Sequence, residues 1–537
     1  MKEILCNGKI YVERGHFEQA LYIEDGVIRA VGSNSAVRAA AGSGAKETDC
    51  AGRTVIPGLN DSHMHLLNIG VTLSQAKLNG AKSIDEIIEI TRRFMKEHPE
   101  YCRKGVQGRG WNQDYFTDGK RLPNRHDLDK ISTEVPVVLT RVCGHIAVAN
   151  TKAIEMLGLG RNSPQYEGGK FGVEADGYPD GVFAESARFK IKSVIPEPTQ
   201  DEYEKMFLEA MDYAASKGIT SVQSNDVGTF GRDYARDIRM LNSVYGSGKA
   251  KLRYHPQMRF ITPEDFRDYL DGKYGRLSSA PLLERASLKL FKDGSLGART
   301  ALMCHEYLDD PGNTGVDVTP SDVMEQYCAL ADKAGMQVVT HVIGDRAAEE
   351  VVQVYEKFIK NGTNPNRHGL IHFQISSRPL VERVVKDHIV VFYQPIFLDY
   401  DMHILLSRCG EELSSTSYAF RTVEDLGGHV GYGTDSPVED CNPFPNLYSA
   451  VTRKDKKGWP EGGFFPQECV DVYRAVDAYT SGSAYMEFRE NSKGRLKPGF
   501  AADLTVLDTD IFSCDPMEIR NIRPVLTMTA GNITYSA

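Results

Sequence analysis

From about Thr220 onward the sequence alternates between short apolar runs and amphipathic stretches, and few architectures accept that grammar. Asp201 to Lys217 places Tyr203, Met206, Phe207, Ala210, Met211 and Ala214 on one helical stripe. Gly218 stands where a helix C-terminus favours glycine, and Ile219 to Gln223 then reads as a strand. Leu252 to Met258, Ser287 to Phe291, Gln337 to His341, Leu370 to Phe373, Ile389 to Tyr393 and His429 to Gly433 read as further buried strands. Asp322 to Ala334, Ala347 to Lys360 and Pro379 to Lys386 are helical candidates between them. A strand, a helix and a return to a parallel strand make a βαβ unit. A strand ending at His63 and His65 brings the number to eight, so the fold class is α/β, a TIM (β/α)8 barrel. Such a barrel carries its active site at the C-terminal strand ends.

The rest of the chain divides around that barrel. Residues 1–57 and 491–537 look β-rich, with short runs at Ile4 to Val12, Gln19 to Glu24, Val27 to Val31, Ala502 to Leu507 and Val525 to Tyr535. Two such ends predict one small composite β-sandwich domain, leaving 58–490 for the barrel. The stretch at about 66–198 is too long for one connection and carries strands of its own, Val106 to Gly110 and Val135 to Val142, with a Gly-rich segment from Gly168 to Gly181. It reads as a large insertion over the barrel mouth, covering the substrate pocket.

The strongest local signal is Asp61-Ser62-His63-Met64-His65. Residues i and i+2 of a strand share a face, so both imidazoles project the same way, an arrangement suited to zinc or a similar borderline metal. Alone the pair is common. His341, His372 and Asp435 fall at the ends of the fifth, sixth and eighth strands, with gaps of 31 and 63 residues, one and two βα repeats. Polar side chains at four strand ends in that register predict a metal site. Lys289 falls on the fourth strand, where burial depresses a lysine pKa. A neutral amine there can condense with carbon dioxide to a carbamate able to bridge two metals; a salt bridge from Lys289 to Asp293 or Asp435 reads equally well. Lys292 is a rival, on the opposite face of the strand.

Composition narrows the partners. The formal charge of −10 over 537 residues argues against a nucleic-acid or anionic-membrane partner. No segment matches a signal peptide or a membrane span, and ten cysteines are scattered without a C-x-x-C pair, so a cytoplasmic protein with idle thiols is expected. Cys304 and His305 are adjacent in sequence, which does not make a nucleophile–base pair in space.

Several motifs extend the pattern: Gly110-Trp111-Asn112-Gln113, Gly144-His145, Lys289 to Gly297, Pro311-Gly312-Asn313, His341 to Arg346, His372-Phe373-Gln374, Gly433 to Pro437 and Lys497 to Leu504. In this order the chain resembles the amidohydrolase superfamily, in particular amidohydrolase family 3, the YtcJ-like group that includes N-substituted formamide deformylases. The resemblance covers nearly the whole length. It implies a metal-bearing barrel, a composite β-sandwich, and Lys289 at the position carboxylated in many members. Lys292, Asn112, Cys143 and Phe373 depart from the family's usual residues.

The expected activity is hydrolysis of an amide or formamide C–N bond of a small molecule. One or two divalent metals, zinc first among them, held by His63, His65, Lys289 (as carbamate), His341, His372 and Asp435, would activate water. Asp435 would serve as general base and then acid. His145 is a second catalytic candidate, polarising the substrate oxygen, and Trp111 and Glu185 are substrate-binding candidates; packing of the insertion explains these three equally well. A homodimer is the expected assembly. Lyase or isomerase chemistry on the same barrel, or a non-catalytic assembly subunit, are the alternatives.

Overall fold

The computed structural model describes residues 2–117 and 119–537. These form two compact units, one of 1–68 with 208–537 and one of 69–207.

The first unit is built on eight parallel strands in sequential order: β1 (Leu59–Met64), β2 (Ile219–Ser224), β3 (Arg253–Met258), β4 (Ser287–Phe291), β5 (Val338–Val342), β6 (Gly369–His372), β7 (Val390–Tyr393) and β8 (Val430–Tyr432). Almost every residue of these strands is buried, as expected of a parallel sheet covered on both faces. The ring closes just beyond the ends of β8 and β1, where Asp435 donates its N–H to the His63 carbonyl (2.8 Å) and His65 donates to Ser436 (2.8 Å). Gly433 permits this approach: a Cβ there would lie 2.6 Å from the His63 nitrogen.

The strand positions read from the sequence agree with these to within about one residue, because apolar runs bounded by turn residues mark buried strands sharply. Helices Ser321–Lys333, Asp345–Glu356 and Arg378–Lys386 likewise fall where amphipathic spacing places them. The terminal segments were harder to parse. Ile4 to Val12, expected as one strand, is two: Lys2–Cys6 in a four-stranded sheet and Lys9–Glu13 in a six-stranded one, broken at Asn7, whose φ is 53°. The six-stranded sheet joins Thr54–Pro57 to Leu504–Leu507, and so takes strands from both ends of the chain. Helix Asn34–Ala41 and strands His16–Glu18, Lys46–Asp49 and Thr54–Pro57 have no counterpart in the sequence reading.

The second unit holds a six-stranded sheet in the order Gly169–Val173, Pro179–Glu185, Ile146–Ala149, Val137–Arg141, Val106–Trp111, Ala76–Lys77. The Gly-rich segment is an antiparallel hairpin within it. Among the described residues no helix is long and apolar enough to cross a membrane, and all ten cysteines are free thiols.

Inside the barrel, beneath the C-terminal strand ends, the side chains are polar. Gln223 and Gln337 donate to the carbonyls of Ser483 (2.9 Å) and Met486 (3.0 Å), and Asn60 donates to Glu487 (2.6 Å), so that Ser483–Glu487 is fastened to β1 and β2 and to the start of β5. His368, just before β6, is fully enclosed. Its Nδ1 accepts the Val338 N–H (3.0 Å), and burial pushes its pKa down from 6.5 to about 4. The folded chain therefore holds it neutral, whereas the unfolded chain protonates it below pH 6.5. Its contribution to stability is present above pH 6.5 and lost as pH falls toward 4, by at most about 1.4 kcal/mol per pH unit. Urea titrations at pH 7, 5.5 and 4.5 should show a shallower acid decline for His368→Gln than for the native chain; parallel declines would contradict this.

Candidate metal centre

Four histidines and an aspartate meet at the C-terminal ends of β1, β5, β6 and β8. The His63 ring centroid lies 5.4 Å from that of His65 and 5.6 Å from that of His372, and His341 lies 4.5 Å from His372. Ligand atoms of His63, His372 and Asp435 all fall within 4.8 Å of one another, and all three residues are buried. Asp435 Oδ1 is 3.3 Å from His63 Nε2 and 3.2 Å from His65 Nε2, yet it is a buried oxygen without a hydrogen bond of acceptable geometry. A buried acceptor left in that state costs stability unless something else satisfies it.

Each histidine is oriented through its other ring nitrogen. His63 Nδ1 meets Gln257 Oε1 (2.5 Å), His65 Nδ1 the Asn225 carbonyl (2.8 Å), His372 Nδ1 Gln394 Oε1 (2.6 Å) and His341 Nε2 the Gly294 carbonyl (2.8 Å). An oxygen acceptor on one nitrogen fixes the tautomer that leaves the other with a lone pair, the arrangement of metal-ligating imidazoles. Burial also pushes the His63 pKa down to about 4 and that of His341 to about 3, and drives His372 well down, favouring the neutral form a metal binds. His65 moves the other way, because the Asp435 carboxylate outweighs its burial. Burial opposes ionisation of Asp435, but contact with His63 and His65 wins and holds its carboxyl low. This donor set fits a divalent metal.

The backbone is strained where it presents these groups. His372, Phe373 and Asp435 have φ of 76°, 43° and 54°, in the left-handed region that costs non-glycine residues of order 1–3 kcal/mol each.

Lys289 belongs to the same cluster, from one level lower. It pairs in register with Val339, two residues before His341 on β5, or about 6.6 Å along the strand. A lysine stem spans that distance. Its Nζ is buried, 4.1 Å from the Phe291 ring centroid, and takes part in no ion pair among the described residues. The salt bridge to Asp293 or Asp435 weighed from the sequence is therefore not formed. Burial pushes its pKa down to about 7, against the opposing pull of Asp435, which leaves much of the amine neutral at neutral pH. Lys292, the rival, points elsewhere and is committed to Asp317 (2.8 Å) and Glu350 (2.7 Å).

Asp293 has a different task. Its carboxyl accepts the N–H groups of Leu302 (2.9 Å), Ile343 (3.0 Å) and Gly344 (2.8 Å), which ties the loops after β4 and β5 together. Asp61 likewise accepts from Thr434 Oγ1 (2.6 Å) across the β8–β1 closure. Sequence reasoning missed Asp61, Gln257, Asn225 and Gln394. Only Gln257 carried a signal, two residues after His255 on a strand whose alternate residues face inward.

The remaining candidates lie in the second unit. Trp111, expected to wall a substrate pocket, is corrected to a packing residue: it has no exposed surface, sits in an apolar cluster with Val137, Leu139 and Val148, and donates its Nε1–H to Leu139 (3.2 Å). His145 and Glu185 are both exposed and pair at 3.2 Å, with Glu185 at φ 52°. Cys304 has Glu349 at 3.9 Å as its side-chain partner, and burial raises its pKa to about 12, which disarms it as a nucleophile.

Residues 46–535 match the amidohydrolase family model. The chain belongs to the amidohydrolase family. This amidohydrolase is 32% identical to the putative amidohydrolase YtcJ of Bacillus subtilis, over 100% of this chain and 99% of that one. It is 23% identical to the N-substituted formamide deformylase of Arthrobacter pascens, over 99% and 97% of the two chains. A crystal structure of an uncharacterized metal-dependent hydrolase from Pyrococcus horikoshii superposes with a TM-score of 0.77 at 28% identity, covering 96% of this amidohydrolase and 99% of that chain. A hydrolase is the reading these relatives share, and the Pyrococcus protein is a metal-dependent one.

Removing the acceptor behind a ligand should weaken the amidohydrolase's metal site without destroying it. Gln257→Leu and Gln394→Leu should each lower metal affinity about 10- to 100-fold, read by competition with a chelator. Unchanged affinity in both would mean these glutamines do not orient ligands.

Proposed function

We propose that this amidohydrolase hydrolyses an amide- or formamide-type C–N bond of a small molecule, and that the reaction takes place at the His63–His65–Lys289–His341–His372–Asp435 cluster. The observation that carries the reading is the convergence of His63, His372 and Asp435 atoms within 4.8 Å at the barrel's C-terminal end. A divalent metal held there would supply Lewis acidity toward the substrate carbonyl and toward water. The four imidazoles and Lys289 would hold it; nitrogen and oxygen donors suit zinc. The neutral amine of Lys289 can take up carbon dioxide, and the resulting carbamate would add two oxygens to the donor set.

Asp435 does the proton work. It is ionised, and its Oδ1 is unclaimed, so it accepts the proton of the attacking water and returns it to the departing amine. The relative that deformylates N-substituted formamides supports the choice of bond.

A panel of N-substituted formamides and simple amides, assayed for released amine, tests the reading. Amine stoichiometric with carboxylic acid is the expected result. Carbon dioxide release or a rearranged product would instead move the chain to lyase or isomerase chemistry.

A further inference from the structure

Arg259 follows β3 directly, and its N–H continues the ladder to the Val227 carbonyl (3.0 Å). Along this strand alternate residues share a face. His255 and Gln257 face the barrel interior, the first 4.0 Å from Glu487 and the second against His63, so Arg259 continues that row at the mouth. Its guanidinium lies 4.9 Å from the Phe291 ring centroid, which Lys289 Nζ approaches to 4.1 Å. The same ring is 5.4 Å from that of His341. The guanidinium is thus one aromatic ring away from the metal cluster. It is partly exposed, and among the described residues no carboxylate pairs with it and no acceptor takes its hydrogen bonds.

An arginine in that position presents a rigid fork of donors to whatever enters the mouth, and a fork matches a carboxylate in two parallel hydrogen bonds. Phe291 beside it is partly exposed, as is Phe397, which stacks on His372 at 5.7 Å and 15°. The mouth therefore offers a cation against one aromatic ring, with a second ring on the His372 side of the cluster. We infer that Arg259 binds a carboxylate carried by the substrate, which makes the substrate an N-acyl or N-formyl amino acid with an apolar side chain. The inference rests on the amide-hydrolase reading and narrows its substrate class.

The test compares N-formyl-phenylalanine with its uncharged counterpart, N-formyl-phenylalaninamide, in the native protein, Arg259→Gln and Arg259→Lys. The native chain should prefer the carboxylate. Arg259→Gln should raise KM for it roughly 10- to 100-fold, far more than for the amide, with kcat less affected and metal content unchanged by elemental analysis. Arg259→Lys, a point charge without the fork, should recover part of the loss. Equal losses on both compounds, or loss of metal in Arg259→Gln, would overturn the assignment while leaving the hydrolase reading intact. If the native protein turns over neither compound, the amide panel decides the hydrolase reading and calorimetry decides the carboxylate site. Binding of N-formyl-phenylalanine that Arg259→Gln weakens would sustain the carboxylate site, and binding indifferent to the change would overturn it.

Discussion

Asp435→Asn should lower kcat about 10³-fold while metal content stays within the native range. The substitution keeps size and one carbonyl oxygen, so the cluster can still assemble, but the amide cannot take a proton at neutral pH. General acid–base groups contribute 10²- to 10⁴-fold, and Asp435 is assigned both halves of the transfer. The site singles it out because its Oδ1 lies 3.2 to 3.3 Å from two imidazoles without a proper hydrogen bond. The check is steady-state kinetics beside elemental analysis on the same preparation. Activity within tenfold of native would remove Asp435 from the proton-transfer role.

Lys289→Met should cost at least 10²-fold in kcat/KM and should lower bound metal. Loss of an outer-sphere partner alone costs 10- to 100-fold, and Lys289 is placed in the inner set. Methionine fills the same enclosed volume, so a fall in activity reports chemistry and not a cavity. Lys289→Arg is the informative companion: it restores a buried cation but offers no amine to carbon dioxide. If the carbamate is the functional form, Arg fails as completely as Met. Recovery with Arg would mean that the position needs positive charge, and the carbamate would be excluded.

The barrel was legible because most of its later strands, β4 to β8, are largely apolar runs ended by a turn, a signal written locally. The same holds for His63, His65, His341, His372 and Asp435, which declare themselves by falling at strand ends in repeat register. What orients them was not legible. Gln257, Gln394 and the Asn225 carbonyl reach their histidines from other strands, up to 194 positions away, and of the three only Gln257 is marked by its own neighbourhood. Lys289 fell between: the sequence placed it on the fourth strand, but only its burial and the lack of an ion-pair partner among the described residues separate it from a structural lysine. Trp111 misled because a lone tryptophan beside glycine suggests a pocket wall, whereas its side chain fills the apolar face of a sheet. The terminal strands were blurred where a break as short as Asn7-Gly8 separates two of them, Lys2–Cys6 and Lys9–Glu13, within one apolar stretch.

The most direct test of the metal centre is metal per chain, by elemental analysis of native protein purified without chelator, with His63→Ala and His372→Ala prepared alongside. One to two divalent metals per native chain, falling sharply in both variants, is the predicted result. A native chain without metal, even after reloading with zinc, would contradict the account.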